Sequence, residues 1–472
     1  MKAKLIILSL FASIILVTDC TRNSSSYNII DFGAVPDGKT LNTSSIQKAI
    51  DKCYENGGGT VLVPPGIFMT GTIHLKSNIN LYLESGATIK GSPDLKDYEN
   101  FQRPGFDTVQ YGMLFTYQAE NVSITGRGAI DGNEEVFFDW KVAKKIEWGY
   151  TKGTRQKENY RKVSEGIGDG PVTPLLRPRQ TVIFAQCKNV LVENILITRS
   201  PFWTLHLADC DGVIIKGVKI WNSLETPNSD GLHMTSCSNV LVSDCDIRAG
   251  DDAIAITGFG YHYELPGYYN LRHSAGNINI TNCNLQSRSS GLRIGYEDQN
   301  SLRNINVSNV NITNSNRGIG IFVRDSGSVE NITISQVNIE TRLHTGDWWG
   351  NGEPIHISAI RGKPGITLGH IKNVTLRNIN CKSENGILIY GTDENIIEDV
   401  RLENVCLKIT DSKMNEVAGG NIDLRGCLDF NKSLASHDIP GLYAQYIKGM
   451  EIIDFYWNGR LYVHLFSQMV LR

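Results

Sequence analysis

The chain lacks an excess of charge of either sign. Its 46 Lys and Arg stand against 49 Asp and Glu, for a formal net charge of −3. No basic surplus marks a phosphate-binding surface, which argues against a general nucleic-acid binder. Beyond the N-terminus, the chain also lacks any apolar run long enough to span a bilayer. The hydrophobic share of 41% and charged share of 20% are ordinary for a globular chain. They exclude a disordered or collagen-like one.

What is present starts with Lys2 and an apolar run from Leu5 to Val17. The run is too short for a spanning helix and suits an export signal. Cys20 follows it and resembles the lipid-attachment cysteine of bacterial lipoproteins. Asp19 departs from the small residue usual there, so lipidation and plain export both stay open. The Asn/Ser-rich stretch Arg22 to Ser26 reads as a tether.

A short pattern then recurs: Asn or Gly, alternating aliphatics, a polar turn. It stands at Asn121, Asn189, Gly212, Asn239, Asn277, Asn304, Asn331 and Asn373. From residue 189 the steps are 23, 27, 38, 27, 27 and 42, so most lie near 25 and the long ones imply insertions. Alternation is a strand period with one face buried. The units lack a convincing long helical stripe. An all-strand unit of this length suits a β-solenoid whose coils stack in parallel. A propeller blade needs more residues. The expected fold is all-β: a single-stranded right-handed parallel β-helix. A helix over Ser44–Tyr54, capped near Asn42 or Thr43, is expected to plug its N-terminal end.

Ten cysteines in an exported chain invite disulfides. Yet Cys187, Cys210 and Cys237 each lie two residues before the repeat's Asn or Gly, and Cys245 and Cys283 six residues after it. That regularity reads as a ladder of buried thiols, with inter-coil disulfides as the alternative. The recurring Asn residues read as an amide ladder at a turn. Two insertions, 133–180 and 258–276, carry aromatics such as Trp140, Trp148, Tyr261 and Tyr268, and suit a binding cleft on one face of the solenoid.

The sharpest chemical signal is Asn228-Ser229-Asp230-Gly231 followed by Gly250-Asp251-Asp252. Asp230 and Asp251 are 21 residues apart, about one coil. The carboxylates should then lie within roughly 5–10 Å. Such a cluster repels itself and raises at least one pKa, setting a general acid beside ionised bases. Strand neighbours point to opposite faces, so Asp251 and Asp252 share a site only if the backbone bends at Gly250. An Asp ladder capping turns and a calcium site are the alternatives.

With these residues the chain resembles the polygalacturonase family of glycoside hydrolases, family 28, in its bacterial branch. Further matches are Asp31-Phe32-Gly33-Ala34, Gly57-Gly58-Gly59-Thr60-Val61, Pro64-Pro65-Gly66 and the Trp348-to-Ile355 segment. The resemblance runs from about Tyr27 to about Asp454. It implies an inverting glycosidase with Asp230, Asp251 and Asp252 catalytic: Asp251 the acid, Asp230 and Asp252 activating water. It implies no metal or organic cofactor, and a pectic polysaccharide or oligosaccharide as substrate.

The family's Gly-His-Gly motif aligns with Ser289-Ser290-Gly291, and its Arg-Ile-Lys with Gly320-Ile321-Phe322, so the histidine and both carboxylate-gripping cations are replaced. Arg293 and Arg324 are the candidate replacement cations. Asn228, Tyr296, Glu297 and His273 complete the expected substrate-binding set. His233 and His273 are candidates for the missing histidine, although a lone histidine is more often structural. His206 reads as structural. The altered motifs favour a decorated or variant pectic substrate.

The expected organisation is a signal over 1–20, a tether over 21–26, one β-helix domain over 27–458 and an atypical tail over 459–472. A monomer is expected, exported to the periplasm, outer membrane or exterior, with membrane attachment through a lipidated Cys20. A calcium-dependent polysaccharide lyase on the same fold and a non-catalytic glycan-binding protein are the alternative functions.

Overall fold

A computed structural model describes residues 26–472, apart from 103–107, 111, 145–168, 261–272, 347, 413–421, 425, 428–433, 436–439, 459, 464–468 and 472. The expected signal, Cys20 and tether lie outside the described residues. So do residues 145–168, with Trp148, and the aromatics between 261 and 272.

The described chain winds as a right-handed parallel β-helix. A typical coil holds three strands, such as Asp211–Lys216, Lys219–Trp221 and Leu232–Thr235. The first two strand stacks fuse where the single strand Ala275–Ser287 pairs with both Ser238–Ser243 and Asp246–Ala249. The third stack is a separate sheet of 12 parallel strands. Alternation decides which residues turn inward. Val190, Val213, Val240, Ile278 and Ile305 meet in register, and all are buried. Such aliphatic ladders supply the core, each side chain worth roughly 1.5–3 kcal/mol on burial.

The turns follow the sequence equally closely. The side-chain amides of Asn277, Asn304, Asn331 and Asn373 donate each to the one before, at 2.9–3.2 Å. All four have left-handed φ between 55° and 59°, a conformation that Asn tolerates better than other side chains. The nine described cysteines are free thiols, and Cys187, Cys210, Cys237, Cys245 and Cys283 are buried. The buried-thiol ladder is what forms, not inter-coil disulfides.

The N-terminal helix runs Thr43–Glu55 and buries Ile46, Ala49, Ile50 and Cys53, one stripe at helical spacing. Asn42 precedes it, but its side chain turns back to Val35 N–H at 2.7 Å and does not cap the helix. At the C-terminal end, the segment expected as an atypical tail holds two short strands. Arg460–Val463 pairs in parallel with Pro440–Gln445, and Met469–Leu471 with Met450–Trp457. These strands are too short to show a repeat, yet their backbone extends both sheets by one coil.

Candidate active site

The site forms at the N-terminal edge of the third sheet. Leu232 pairs with Ile254, so Asp230 and Asp252, each two residues upstream, sit at the same level in successive coils. The equivalence is therefore with Asp252, the second member of the pair expected about one coil from Asp230. Ser290 follows at that level, then Arg317.

The backbone bends between Asp251 and Asp252, and Gly250 permits it. A Cβ on Gly250 would lie 2.1 Å from the Thr226 carbonyl oxygen. Its N–H instead donates to Ser229 Oγ at 3.0 Å, tying the two aspartate loops together. The Asn228 N–H donates to Asp251 Oδ2 at 3.3 Å, and the Asp252 N–H to Asp251 Oδ1 at 3.0 Å.

All three carboxylates are buried, at 3%, 9% and 4% exposure for Asp230, Asp251 and Asp252. Their surroundings drive them apart. Burial pushes Asp251 well above the ordinary carboxylate range, and repulsion from Asp230 and Asp252 adds to it. Burial and repulsion from Asp252 also raise Asp230, against the Arg293 charge. Burial would raise Asp252 too, but the Arg293 charge and hydrogen bond and the Ser290 N–H hold it below its usual value. Arg293 Nε donates to Asp252 Oδ2, and its Nη2 lies 3.9 Å from Asp230 Oδ2. The Ser290 N–H donates to Asp252 Oδ1 at 2.9 Å. The result is one ionised carboxylate beside two that favour the protonated form. The cation that these carboxylates gather is a guanidinium.

His233 emerges as a member of the site. Its Nδ1 is 3.0 Å from Asp230 Oδ2, its Nε2 is 3.1 Å from Thr257 Oγ1, and its ring stacks on Trp203 at 3.7 Å. Burial and the Arg293 charge keep it neutral. It is one of the two histidines named above as candidates for the missing one, and it lies three residues after Asp230. Arg177, from the first insertion, was not anticipated. It donates to Pro201 O, Pro227 O and Asn228 Oδ1 at 2.6–2.9 Å, fixing the Asn228 turn against Asp251.

The remaining expected substrate contacts divide. Asn228 is at the site, its side chain taken by Arg177. Tyr296 is half-buried, edge-to-face with Trp349 at 5.9 Å, and under the Arg293 guanidinium at 5.7 Å. Glu297 follows it, partly exposed. Two expectations change. Arg324 is 2% exposed and donates to Val323 O, Ser358 O and Ser358 Oγ, so it braces neighbouring coils on the outer face of the sheet. His273 is exposed and pairs with Asp209 at 2.8 Å, beyond the opposite end of the strands that carry the carboxylates. His206 is structural, buried between Thr235 Oγ1 and Gln180.

A family model described as glycosyl hydrolases family 28 matches residues 173–423. A second, described as rhamnogalacturonase A/epimerase, pectate lyase-like, matches residues 26–161. A probable polygalacturonase of Vitis vinifera is 29% identical over 52% of this chain and 48% of its own length. An exo-poly-alpha-D-galacturonosidase of Dickeya chrysanthemi is 30% identical over 48% of this chain and 41% of its own. The chain thus spans half or less of the length of these two curated relatives. Among solved structures, an exopolygalacturonase from Thermotoga maritima matches with a TM-score of 0.62 and 26% identity, over 82% of this chain and 87% of that one. With more than half of its length matched by the first of these models, the chain belongs to family 28 of the glycosyl hydrolases.

Proposed function

We propose that the protein is an inverting glycosidase that hydrolyses α-linked, galacturonic-acid-containing bonds in pectin or a decorated pectic oligosaccharide. The observation that carries this is the split in charge between neighbours: Asp251 favours its proton while Asp252 is held ionised by Arg293. That is the arrangement acid–base hydrolysis of a glycoside requires. Asp251 gives its proton to the glycosidic oxygen as the C1–O bond breaks. Asp252, the ionised carboxylate, takes a proton from the water that attacks C1 from the opposite face, with Asp230 beside it to hold that water. The product carries the inverted configuration, and no covalent intermediate forms. The named activities of the relatives support a galacturonan substrate. The replaced cation motifs support a variant of it.

The lyase alternative needs calcium among these carboxylates, a charge that Arg293 already supplies. Export, and membrane attachment through Cys20, belong to the same proposal and are supported by the Lys2-to-Val17 segment. The test is digestion of a panel of pectic polysaccharides by the wild type and Asp251→Asn, following reducing ends and ultraviolet absorbance. New reducing ends without absorbance, lost in the variant, are expected. Absorbance dependent on calcium would mean a lyase. Binding without product would mean a glycan-binding protein.

A further inference from the structure

The first insertion carries two antiparallel strands, Phe138–Ala143 and Val172–Pro174. Its returning arm, from Asp169 to Arg177, crosses the coils rather than following them. The turns it meets are ordered by the third sheet, where Leu205, Leu232, Ile254, Leu292, Ile319 and Ile355 stand in register. Asp169 meets the turn before Ile355. Val172 and Arg177 meet the turn before Leu232, and Arg177 also the turn before Leu205. At ~4.8 Å per coil, the arm must span roughly 19–24 Å. The peptide steps from Asp169 to Arg177 reach roughly 26 Å when extended. The arm is therefore a strap with little slack, laid along the helix axis beside the catalytic turns.

Both ends of the strap are pinned through charge. At the far end, Asp169 Oδ2 accepts from Arg342 Nη2 at 2.6 Å and from His344 Nδ1 at 2.7 Å, with Arg288 Nη2 at 3.8 Å. Its Oδ1 accepts from the Thr345 N–H at 3.0 Å and from Thr345 Oγ1 at 2.9 Å. Its own N–H donates to Thr345 Oγ1 at 2.7 Å, and its carbonyl accepts from Trp348 Nε1 at 3.1 Å. Burial would raise this carboxyl, but His344, Arg288 and Arg342 hold it well below the ordinary range. Burial pushes His344 down to about 3, so a neutral ring donates from Nδ1. Gly346 lets the strap lie close, since a Cβ there would stand 2.3 Å from Pro171 Cδ. Midway, the Val172 N–H donates to Glu225 O at 2.9 Å. At the near end the Arg177 guanidinium, packed on the Phe138 and Phe202 rings, grips Pro201 O, Pro227 O and Asn228 Oδ1. The turn so held delivers the Asn228 N–H to Asp251 Oδ2.

We infer that Asp169 is a positioning residue for the proton donor: it anchors the strap whose other end, Arg177, holds the Asn228 turn against Asp251. This rests on the hydrolase reading and deepens it, because part of the acid's alignment then belongs to a carboxylate three coils away. Releasing the strap at Asp169 lets its Arg177 end shift, and a displacement of about 1 Å at a reacting group costs on the order of 100-fold. The defect falls on protonation of the leaving group. The attacking water is spared, because Asp252 is held by Arg293 and the Ser290 N–H, and Asp230 by His233.

The experiment uses full-length wild type, Asp169→Asn, Arg177→Met, their double variant, Thr345→Val and Asp251→Asn. Each is measured on two probes: the galacturonic-acid-containing oligosaccharide that the wild type cleaves in the panel digestion, and the 4-nitrophenyl glycoside of the same sugar chain. A sugar leaving group needs the acid's proton, whereas 4-nitrophenolate departs without it. Asp169→Asn is expected to lose about tenfold in kcat on the oligosaccharide and no more than about twofold on the aryl glycoside. Its KM should hold within about twofold on both, because uniform binding is untouched. Arg177→Met should lose about 100-fold in the same pattern. The double variant should lose no more than Arg177→Met alone, since both act through one strap. Thr345→Val removes one hydroxyl from Asp169 and should show the pattern at smaller amplitude.

Equal losses on the two probes, or losses that add in the double variant, overturn the inference alone. So does an unchanged kcat in Asp169→Asn. Should Asp169→Asn or Arg177→Met fail to fold, Thr345→Val decides by the same contrast between leaving groups. Should the wild type leave the aryl glycoside uncut, the double-variant comparison decides. Equal losses on both probes in Asp251→Asn, or no cleavage of any panel member by the wild type, overturn the hydrolase reading, and this inference with it.

Discussion

The Nδ1 of His233 lies 3.0 Å from Asp230 Oδ2, and the imidazole is fully buried between that carboxylate, Thr257 and the Trp203 ring. His233→Phe keeps the stacking volume and removes both hydrogen bonds. Two buried polar groups then lose their partner, which costs about 1–3 kcal/mol each. The variant should unfold at lower temperature and lose about tenfold or more in kcat, since Asp230 is no longer oriented. Thermal unfolding and steady-state kinetics check both. An unchanged kcat would mean that Asp230 is oriented by Arg293 alone.

Glu134 is a buried carboxyl outside the reaction, holding the loop behind Asp230. It accepts from Thr226 Oγ1 at 2.9 Å and from the Ser223 N–H at 3.3 Å. Burial raises it from 4.5 to about 7. Between those values the folded chain binds the proton more tightly than the unfolded one. Stability is therefore fully present below the unfolded value and declines as pH rises toward 7. The loss is roughly 3 kcal/mol at most, at 1.36 kcal/mol per pKa unit. Glu134→Gln should flatten the dependence and exceed the wild type in stability at pH ~8. Chemical denaturation across the range measures it, and an unaltered slope would assign the dependence elsewhere.

Asn304 couples two effects in one turn. Its φ is 56°, and its side chain donates to Asn277 and accepts from Asn331. Asn304→Gly keeps the turn and loses the amide ladder, at about 0.5–1.5 kcal/mol per bond. Asn304→Ala loses the ladder and adds about 1–2 kcal/mol of left-handed strain. The expected stability order is wild type, then Gly, then Ala, measured by denaturant midpoint. Equal losses would mean that the ladder alone holds the turn.

The thiols report on the core directly. Of the nine described cysteines only Cys406 is exposed. A thiol reagent should label Cys406 in the native protein and the other eight only on unfolding, read by mass spectrometry. Native labelling of Cys210 would contradict the packed ladder.

The repeat was legible because it is local. The alternation around Asn189 and Asn304 names the inward face, and the recurring Asn names the turn. Asp230, Asp251 and Asp252 were legible because their types and spacing are rare without chemistry. What escaped were relations between side chains across coils. Nothing near Arg293 in the chain says that it faces Asp252, and nothing near Arg324 says that it is buried against Ser358 of the next coil. His273 stood close in sequence to the site, but its loop carries it to Asp209. The tail was illegible because Arg460–Val463 and Met469–Leu471 are each too short to display a period. The pairing of Asp230 with Asp252 turned on a single residue of register, which spacing near one coil cannot resolve.

The most direct test of the account is the configuration of the first product. An α-linked galacturonic-acid-containing oligosaccharide is hydrolysed in the spectrometer, and the anomeric proton is followed before mutarotation. The account predicts the β-anomer first, because water enters opposite Asp251 as the leaving oxygen departs. Initial appearance of the α-anomer, or of an unsaturated sugar, would contradict it.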